Sequence, residues 1–478
     1  MKRTTSLLFC LLITAAAGAS PMLHFKISRV VCLLTFLETA AGDPHTSSTL
    51  RTYITSHLPA EDSSDFYLLV GRFRSLNIDH SYVLPEYPQQ RQKPRSSMGL
   101  VNIAAVQSES LPEFFSRIAG VLPNEQLLLL KDVLAKAEYY YDEIVMKNSK
   151  FLIEKQLNEI KLYNYKTRTA FQRLKTFYGS TWADNWPFTV AIYPVPGKSG
   201  HTTATPHNNS LIMGMFTEEK DYPGRIGVAL HEICHVLYEE QPLSLQWKLD
   251  SAFSSSTSLS ATFAYTYLDE ALATACGNGW MYEFLTGGTD KTAWYNDEYI
   301  DKYAHALYPM VKDYVENLRT IDRRFITSAI RIFDEQFPEA AYEYQNLFNK
   351  MYFYTDAGSS DEYQGIMNTL GRYYRITSCY SSYPITDPQS LAMAGSNQGT
   401  QLFIVHTNQA QNFSALRKLF PELMAVNEHE EGIISFFDKE KRPVIIMNVK
   451  DASRIEYALK KMTETKKISA GLSSVSLN

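Results

Sequence analysis

Apolar positions recur with helical spacing from Leu50 to about Gly179. The stretch from Asn124 to Gly179 contains no proline and only a terminal glycine, so it predicts one very long helix or two helices with an unmarked break. Residues 85–95 (PEYPQQRQKPR) predict an exposed loop. The apolar run from Val30 to Ala41 is interrupted by Glu38 and is too short to span a bilayer. We expect it to form a buried helix rather than a membrane anchor.

The pattern changes at Trp186-Pro187, where PFTVAIYPVP alternates in the manner of a β-strand. A turn-rich stretch leads to a second predicted strand from Ser210 to Met215. Arg225 to Tyr238 (RIGVALHEICHVLY) then predict a helix, with Pro223-Gly224 before it and Pro242 after it. A small sheet followed by such a helix suits a cleft, where an edge strand can pair with an extended peptide.

Downstream, a serine-rich loop at residues 251–259 precedes further helical patterns. The glycines predicted to mark turns there are Gly277, Gly279, Gly287 and Gly288. Beyond about Arg372 the patterns follow a βαββα order: Thr400 to Thr407, Asn412 to Leu423, GIISFFD, PVIIMNV, and Ala452 to Thr463. This order predicts a C-terminal α/β module of about 100 residues. The predicted fold class is α+β, mostly helical.

The N-terminus has the features of an export signal. Lys2 and Arg3 precede an apolar run from Ser6 to Ala17, and Ala17-Gly18-Ala19 fits a small-x-small cleavage site. We therefore expect an exported protein, periplasmic or secreted, with no transmembrane segment beyond the signal. The predicted organisation is a signal peptide at 1–19, an N-terminal helical region at 20–180, a central region at 181–371 that holds the chemistry, and the α/β domain at 372–478.

Charge and cysteine content narrow the functional classes. The formal net charge of −5 gives no electrostatic case for nucleic-acid binding. Four cysteines follow the predicted cleavage site (Cys32, Cys234, Cys276 and Cys379), and their wide spacing does not form a disulfide framework. Cys234 and Cys276 can pair or bind a metal, but small buried hydrophobes are the favoured interpretation.

The chemistry is concentrated in His231-Glu232-Ile233-Cys234-His235. On a helix, residues four apart share a face, so both imidazoles can point at one ion. Neutral imidazole is a preferred ligand of Zn²⁺. Glu232 lies one step round the helix, where it can act on a water that zinc has acidified. The segment predicts a zinc hydrolase, most simply a peptidase.

A catalytic zinc needs a third protein ligand and one open position. Glu270 on a later helical segment is the leading candidate, and the small residues Ala271, Ala273 and Ala275 allow that segment to approach closely. Asp269 and His305 are the alternatives. Successive helical residues are about 100° apart, so Asp269 is expected to point away from the ion and to matter little. Thr274, one turn after Glu270, can hydrogen-bond a ligand imidazole.

With HExxH on one helix and a glutamate on a later one, residues 187–280 resemble the gluzincin group of zinc metallopeptidases. The matching residues are His231, Glu232, His235 and Glu270. The third histidine and the glycine of metzincins are missing after His235. The resemblance implies a zincin-like catalytic region, with a small β-sheet before the HExxH helix.

The resemblance also implies a mechanism in which zinc polarises the scissile carbonyl and Glu232 serves as general base. A developing oxyanion usually needs another donor. The candidates share one helical segment: Tyr299, Tyr303, His305 and Tyr308, with His305 and Tyr308 on one face.

The predicted function is an exported zinc metallopeptidase that acts on a peptide or protein. Two alternatives stay open: a catalytically silent binding protein of the same fold, and a zinc hydrolase of a non-peptide amide. The intact Glu232 argues against the first, because a silent protein needs no general base. Nothing in the sequence separates the second from a peptidase.

Overall fold

Helices make up most of the computed structural model, which describes residues 22–397 and 399–477. The predicted export signal at 1–19 lies outside the described residues. The α-helices before residue 200 are α1 (Arg29–Ala41), α2 (Ser48–His57), α3 (Ser63–Arg74), α4 (Ser97–Gln107), α5 (Leu111–Arg117), α6 (Asn124–Tyr141), α7 (Lys147–Lys161) and α8 (Asn164–Tyr178). Those after it are α9 (Tyr222–Glu239), α10 (Leu243–Ser254), α11 (Ala261–Thr274), α12 (Tyr282–Thr286), α13 (Glu298–Glu316), α14 (Arg323–Gln336), α15 (Tyr344–Asn349), α16 (Ser360–Tyr373), α17 (Pro388–Ser396), α18 (Gln409–Leu419) and α19 (Ile455–Thr465).

The strands are β1 (Leu23–Ile27), β2 (Ser81–Tyr82), β3 (Arg95–Ser96), β4 (Phe188–Val195), β5 (Ala204–His207), β6 (Ser210–Phe216), β7 (Lys350–Thr355), β8 (Ser378–Ser382), β9 (Thr400–Val405), β10 (Gly432–Phe437), β11 (Pro443–Asn448) and β12 (Ser473–Ser476). Segments of π-helix cover Asp142–Met146 and Ala275–Met281, and 3-10 turns cover Ala60–Asp62, Gln89–Arg91, Pro421–Ala425 and Ala452–Arg454.

Several local predictions are confirmed. The apolar run at 30–41 forms α1, a buried helix whose start is capped by the Ser28 side chain and whose end is closed by Gly42 in the left-handed region. The proline-free tract forms two helices: the first runs through α6, a π segment and α7, and the second, α8, follows a break at residues 162–163.

The exposed loop predicted at residues 85–95 is only partly exposed, because Pro88 and Arg91 are buried.

Two compact units divide the chain. The first runs to Ala252 and resumes over Tyr267–Ala329, and the second comprises Phe253–Thr266 and the chain from Ile330 onward. Among residues 22–397 and 399–477, no helix combines the length with the hydropathy that a membrane-spanning segment needs.

The sheet of the first unit has the order β1-β4-β6-β5, in which β5 runs antiparallel to β6 and the other pairs are parallel. One hydrophobic core joins α1, α3, α4 and α6 to side chains of β4 and β6, including Ala191, Tyr193, Val195 and Phe216. Helix α9 packs against β5 and β6. The small sheet therefore precedes and supports the helix that carries HEICH, as the fold-class prediction requires.

The second unit contains a six-stranded mixed sheet of order β12-β10-β11-β9-β7-β8. Strands β8, β7, β9 and β11 are parallel, while β10 and β12 are antiparallel to their neighbours. Its core is formed mainly by apolar side chains of β7, β9, β10, β11 and α18. The predicted βαββα order is present as β9, α18, β10, β11 and α19, and β7, which begins at Lys350, belongs to the same sheet.

Candidate metal centre

Helix α9 begins where its sequence provides a cap. The Asp221 side chain accepts a hydrogen bond from the Gly224 amide at 3.1 Å, and a proline in the first turn has no N–H to leave unpaired. The helix ends at Glu239 and covers the whole predicted range. His231, Glu232 and His235 are buried, with 7 %, 9 % and 8 % of their surface exposed. Three polar side chains are thus held in the buried part of the helix.

The ligand atoms of His231, His235 and Glu270 converge on one point. The two imidazole Nε2 atoms are 3.1 Å apart, and Glu270 Oε2 lies 3.5 Å from that of His231 and 3.6 Å from that of His235. Three ligands bound at 2.0–2.1 Å in tetrahedral directions would be about 3.3–3.4 Å apart. The observed triangle therefore has the size of one face of a tetrahedral metal site.

An unsatisfied atom supports this interpretation. Glu270 Oε2 is buried, yet it has no hydrogen-bond partner among the described residues. Buried polar atoms are normally paired, because leaving them unpaired costs free energy. In residues 22–397 and 399–477, His231, His235 and Glu270 form the one group of three or more His, Cys, Asp or Glu ligand atoms lying within 4.8 Å of one another. The triad fits a zincin-like, His₂Glu metal site of gluzincin type.

Asp269 has a role that its sequence position did not reveal. Its Oδ1 accepts a hydrogen bond from Nδ1 of His235 at 3.0 Å. Carboxylates in this position fix the orientation and the tautomer of a metal-binding histidine, leaving Nε2 free for the ion. Asp269 is not a member of the triad, and its hydrogen bond to His235 gives a reason to expect that replacing it would affect metal binding. The expectation that Asp269 matters little stays a prediction.

The expected partner Thr274 does not take this position. Its hydroxyl is buried without a hydrogen-bond partner among the described residues. The orienting hydrogen bond therefore comes from the residue beside Glu270 and not from the residue one turn later.

The electrostatics of the centre follow from burial and charge. Burial raises the pKa of Glu232, although the imidazoles of His231 and His235 oppose this effect. Burial alone would also raise the pKa of Asp269, but His235 and Lys93 outweigh it and lower that pKa to about 2. One carboxyl of the site is therefore held ionised, while another binds protons more readily than usual.

Glycines, besides the alanines, let the two ligand-bearing segments approach. A Cβ added at Gly277 would lie 2.5 Å from the carbonyl oxygen of Gly227 and 2.8 Å from Cβ of His231. A Cβ at Gly227 would lie 2.8 Å from the carbonyl oxygen of Gly277. The prediction of turns at Gly277 and Gly279 was wrong: both lie in the π segment that continues α11, and close backbone packing explains the glycine at 277.

The candidate oxyanion donors on α13 have other partners. Nδ1 of His305 donates to the Asp301 carbonyl at 2.9 Å, and its ring stacks on Trp294 with centroids 3.8 Å apart. The Tyr308 hydroxyl donates to the Glu283 carboxylate. His305, which was also an alternative third ligand, is not part of the His₂Glu cluster. An oxyanion role for either stays a prediction.

The ring of Tyr295 stacks on His231, a contact that the sequence analysis did not predict. Its ring lies nearly parallel to that of His231, with centroids 6.1 Å apart. The loop holding it is fixed by Asp301, whose Oδ1 accepts from the amides of Trp294 and Tyr295. No spacing rule connects residue 295 with the HEICH helix, so the sequence held no usable signal for it.

The cysteines of the described chain are free. Cys234 and Cys276 are fully buried, and burial raises the pKa of Cys234 well above its ordinary value. The Tyr178 hydroxyl lies 3.9 Å from Sγ of Cys276. Burial keeps the thiol of Cys234 neutral, and both side chains are packed in the core, in agreement with their interpretation as small hydrophobes.

Comparison of the chain with protein-family models, with curated proteins and with solved structures finds no match. The geometry of His231, His235 and Glu270 thus carries the inference of a candidate metal site by itself.

Proposed function

We propose that this protein is a zinc-dependent metallopeptidase. The observation that carries the proposal is the triangle of His231, His235 and Glu270 ligand atoms, with Glu232 beside the first histidine. His₂Glu with one open position is a ligand set of catalytic zinc in peptidases. When bound, zinc would act as a Lewis acid on the scissile carbonyl and lower the pKa of a water.

Glu232 is the proposed general base. Burial raises the pKa of its carboxyl group, which brings its proton affinity closer to that required near neutral pH. Its carboxylate takes a proton from the attacking water and later gives it to the leaving nitrogen. Asp269 keeps His235 oriented through the 3.0 Å hydrogen bond to Nδ1.

An extended peptide is the substrate class that the sheet favours. Strand β5 is at the end of the first unit's sheet order and packs against α9. An edge strand can bind an extended chain through main-chain hydrogen bonds, with little dependence on side-chain identity. We propose that the substrate lies along β5, beside the helix that carries Glu232.

The test combines metal analysis with cleavage of a mixed peptide library. We expect about one zinc per molecule in the purified protein, loss of cleavage on chelation and its return with added Zn²⁺. Glu232→Gln should retain zinc while cleavage falls by orders of magnitude, because the variant keeps the side-chain size but lacks a base.

Other outcomes distinguish the alternatives. Full zinc without cleavage of any peptide or amide would support a silent binding protein. Cleavage of acylated amines alone would support an amide hydrolase. Full zinc occupancy in a His231→Ala/His235→Ala variant would overturn the metal site itself.

Export is a separate proposal that rests on residues 1–19 alone. Expression of the full sequence with N-terminal sequencing of the secreted or periplasmic product should give a start near Ser20. Retention of the intact N-terminus in the cytoplasm would contradict it.

A further inference from the structure

Residues 89–95, part of the segment expected to be an exposed loop, reach both helices that carry the metal ligands. Lys93 Nζ lies 2.5 Å from Glu239 Oε1 at the end of α9 and 3.4 Å from Asp269 Oδ2 on α11. We call residues 89–95 the strap. A single ammonium thus connects the end of the HEICH helix with the carboxylate that holds His235.

The strap is anchored by a second cation. Arg91 is buried, and its Nη2 donates to the Tyr238 carbonyl at 2.6 Å and to Gln241 Oε1 at 2.7 Å. Its guanidinium also lies 3.4 Å from the centre of the Tyr238 ring. Charge-assisted hydrogen bonds and cation–π contact of this kind hold a side chain in one geometry. Because Lys93 is only two residues from Arg91, this anchor also holds Lys93 near the end of α9.

The two oxygens of Asp269 have different tasks. Oδ1 accepts from His235 Nδ1, and Oδ2 faces Lys93 Nζ. A carboxylate held at both oxygens cannot rotate freely, so the direction in which Oδ1 meets the imidazole is determined. Lys93 therefore acts on the ligand through Asp269, over a connection of two contacts.

We propose that Lys93 is a positioning residue for the metal centre, and that docking of the strap and metal binding stabilise each other. This inference rests on the proposed metal site. It assigns to residues far from HEICH in sequence a share of the metal affinity. Coupling between two binding events is reciprocal, so a strap that favours the ion must also be favoured by it.

The test measures the zinc dissociation constant by competition with a chromogenic chelator. Loss of a direct orienting partner typically weakens metal binding by 10- to 100-fold, so we expect that range for Asp269→Asn. Lys93 acts one contact further away and is half exposed, so Lys93→Met should weaken binding by roughly threefold to tenfold. Lys93→Arg should restore most of the affinity, because a guanidinium can pair with both carboxylates.

Lys175→Met is the matched control. Lys175 forms a 2.6 Å ion pair with Asp184, which belongs to neither ligand-bearing helix, so its loss should leave zinc affinity unchanged. Equal affinities in the wild type, Lys93→Met and Lys175→Met would overturn the proposal. So would a Lys93→Arg variant as weak as Lys93→Met, since a positioning charge should be rescued by another charge.

Hydrogen exchange of the unaltered protein provides a test that does not depend on the folding of a variant. Amides of residues 89–95 should exchange more slowly with zinc than with chelator. Unchanged exchange in the strap, in a protein that binds zinc, would refute the reciprocal coupling. Failure of the wild type to bind zinc would instead refute the proposed function, so the two failures are distinguishable.

Discussion

At the scale of single residues, the site is built from two adjacent carboxylates with different tasks. Glu270 provides one atom of the candidate ligand triangle, and Asp269 accepts a hydrogen bond from the imidazole of His235. They can divide the work because residues about 100° apart on a helix meet different atoms of the same neighbouring histidine. Both side chains are carboxylates, so their chemistry does not distinguish their roles. The directions in which the two side chains point do distinguish them.

This division predicts a graded loss of metal binding. Glu270→Gln should reduce zinc affinity by more than Asp269→Asn, because the first replaces a charged ligand and the second only a partner of a ligand. Both variants should bind zinc more weakly than the wild type does. Isothermal titration of the three proteins with Zn²⁺ checks the order. A silent Asp269→Asn would mean that the 3.0 Å hydrogen bond does not orient His235.

At the scale of elements, the centre depends on how closely α9 meets the π segment Ala275–Met281. The approach is made through Gly227 and Gly277, with no Cβ between the backbones. The alanines on α11 that sequence analysis singled out are also buried, including Ala271 and Ala273. Small residues along this line let the ligand-bearing segments pack at short range.

Gly277→Ala should therefore destabilise the first unit and weaken metal binding together. Its Cβ would meet the Gly227 carbonyl and His231 Cβ, which cannot both yield, so a cost of about 1–3 kcal/mol is expected from overpacking. Urea unfolding and zinc titration of the variant measure the two effects.

Gly71→Ala is the control for this prediction. Gly71 lies within α3 and a Cβ there would meet nothing within 4 Å, so the change should be neutral or stabilising by about 0.4–1 kcal/mol. If Gly277→Ala behaved like Gly71→Ala, the glycine contact would not govern the spacing of the segments.

At the scale of the whole molecule, the second unit has its own polar cluster at the carboxyl ends of two parallel strands. His406, which follows β9, is paired with Asp356, which follows β7, and its Nε2 lies 2.9 Å from Glu362 Oε1. Asp451 is a further carboxylate of this region. Its pKa is lowered mainly by hydrogen bonds from Ser453, and the imidazole of His406 adds to this effect. Burial alone would lower the pKa of His406, but Asp356 and Glu362 outweigh it and raise the pKa above 6.5.

The cluster predicts a pH window for the stability of the second unit. Because the folded pKa of His406 is raised, its stabilisation is full below pH 6.5 and is lost as the pH rises through the folded value. The pKa of Glu362 is lowered below 4.5, mainly by the Gly358 amide and by His406, so its stabilisation is lost as the pH falls through the folded value. The contribution of His406 and Glu362 to the free energy of unfolding of the second unit should be greatest between about pH 4.5 and 6.5.

The measurement compares the wild type with His406→Asn at several pH values. All five tryptophans lie in the first unit, so their fluorescence reports that unit, while pulse proteolysis with mass spectrometry of peptides from 350–477 reports the second. Peptides from 350–477 should be better protected from proteolysis in the wild type than in His406→Asn. This difference in protection should shrink from pH 6 to pH 9. A constant difference would show that the charge of His406 does not stabilise the unit.

Local sequence patterns were enough to predict the HEICH helix, its two converging histidines, the small sheet before it and the α/β order at the C-terminus. These depend on hydrophobic periodicity, on caps and on the i, i+4 rule, which are local properties. Glu270 could also be predicted as the third ligand. A zinc site needs one, and few acidic residues follow in a segment of small residues.

Three features depend on how distant elements pack: which carboxylate hydrogen-bonds to His235, where the strap lies and how closely the backbones approach. Asp269 is 34 residues from His235 and 176 from Lys93, and no periodic pattern connects positions so far apart. A glycine that permits close packing looks the same in sequence as one that permits a turn, and so Gly277 was misassigned. Periodicity encodes which face of an element is buried, whereas the identity of its partner depends on how distant elements pack.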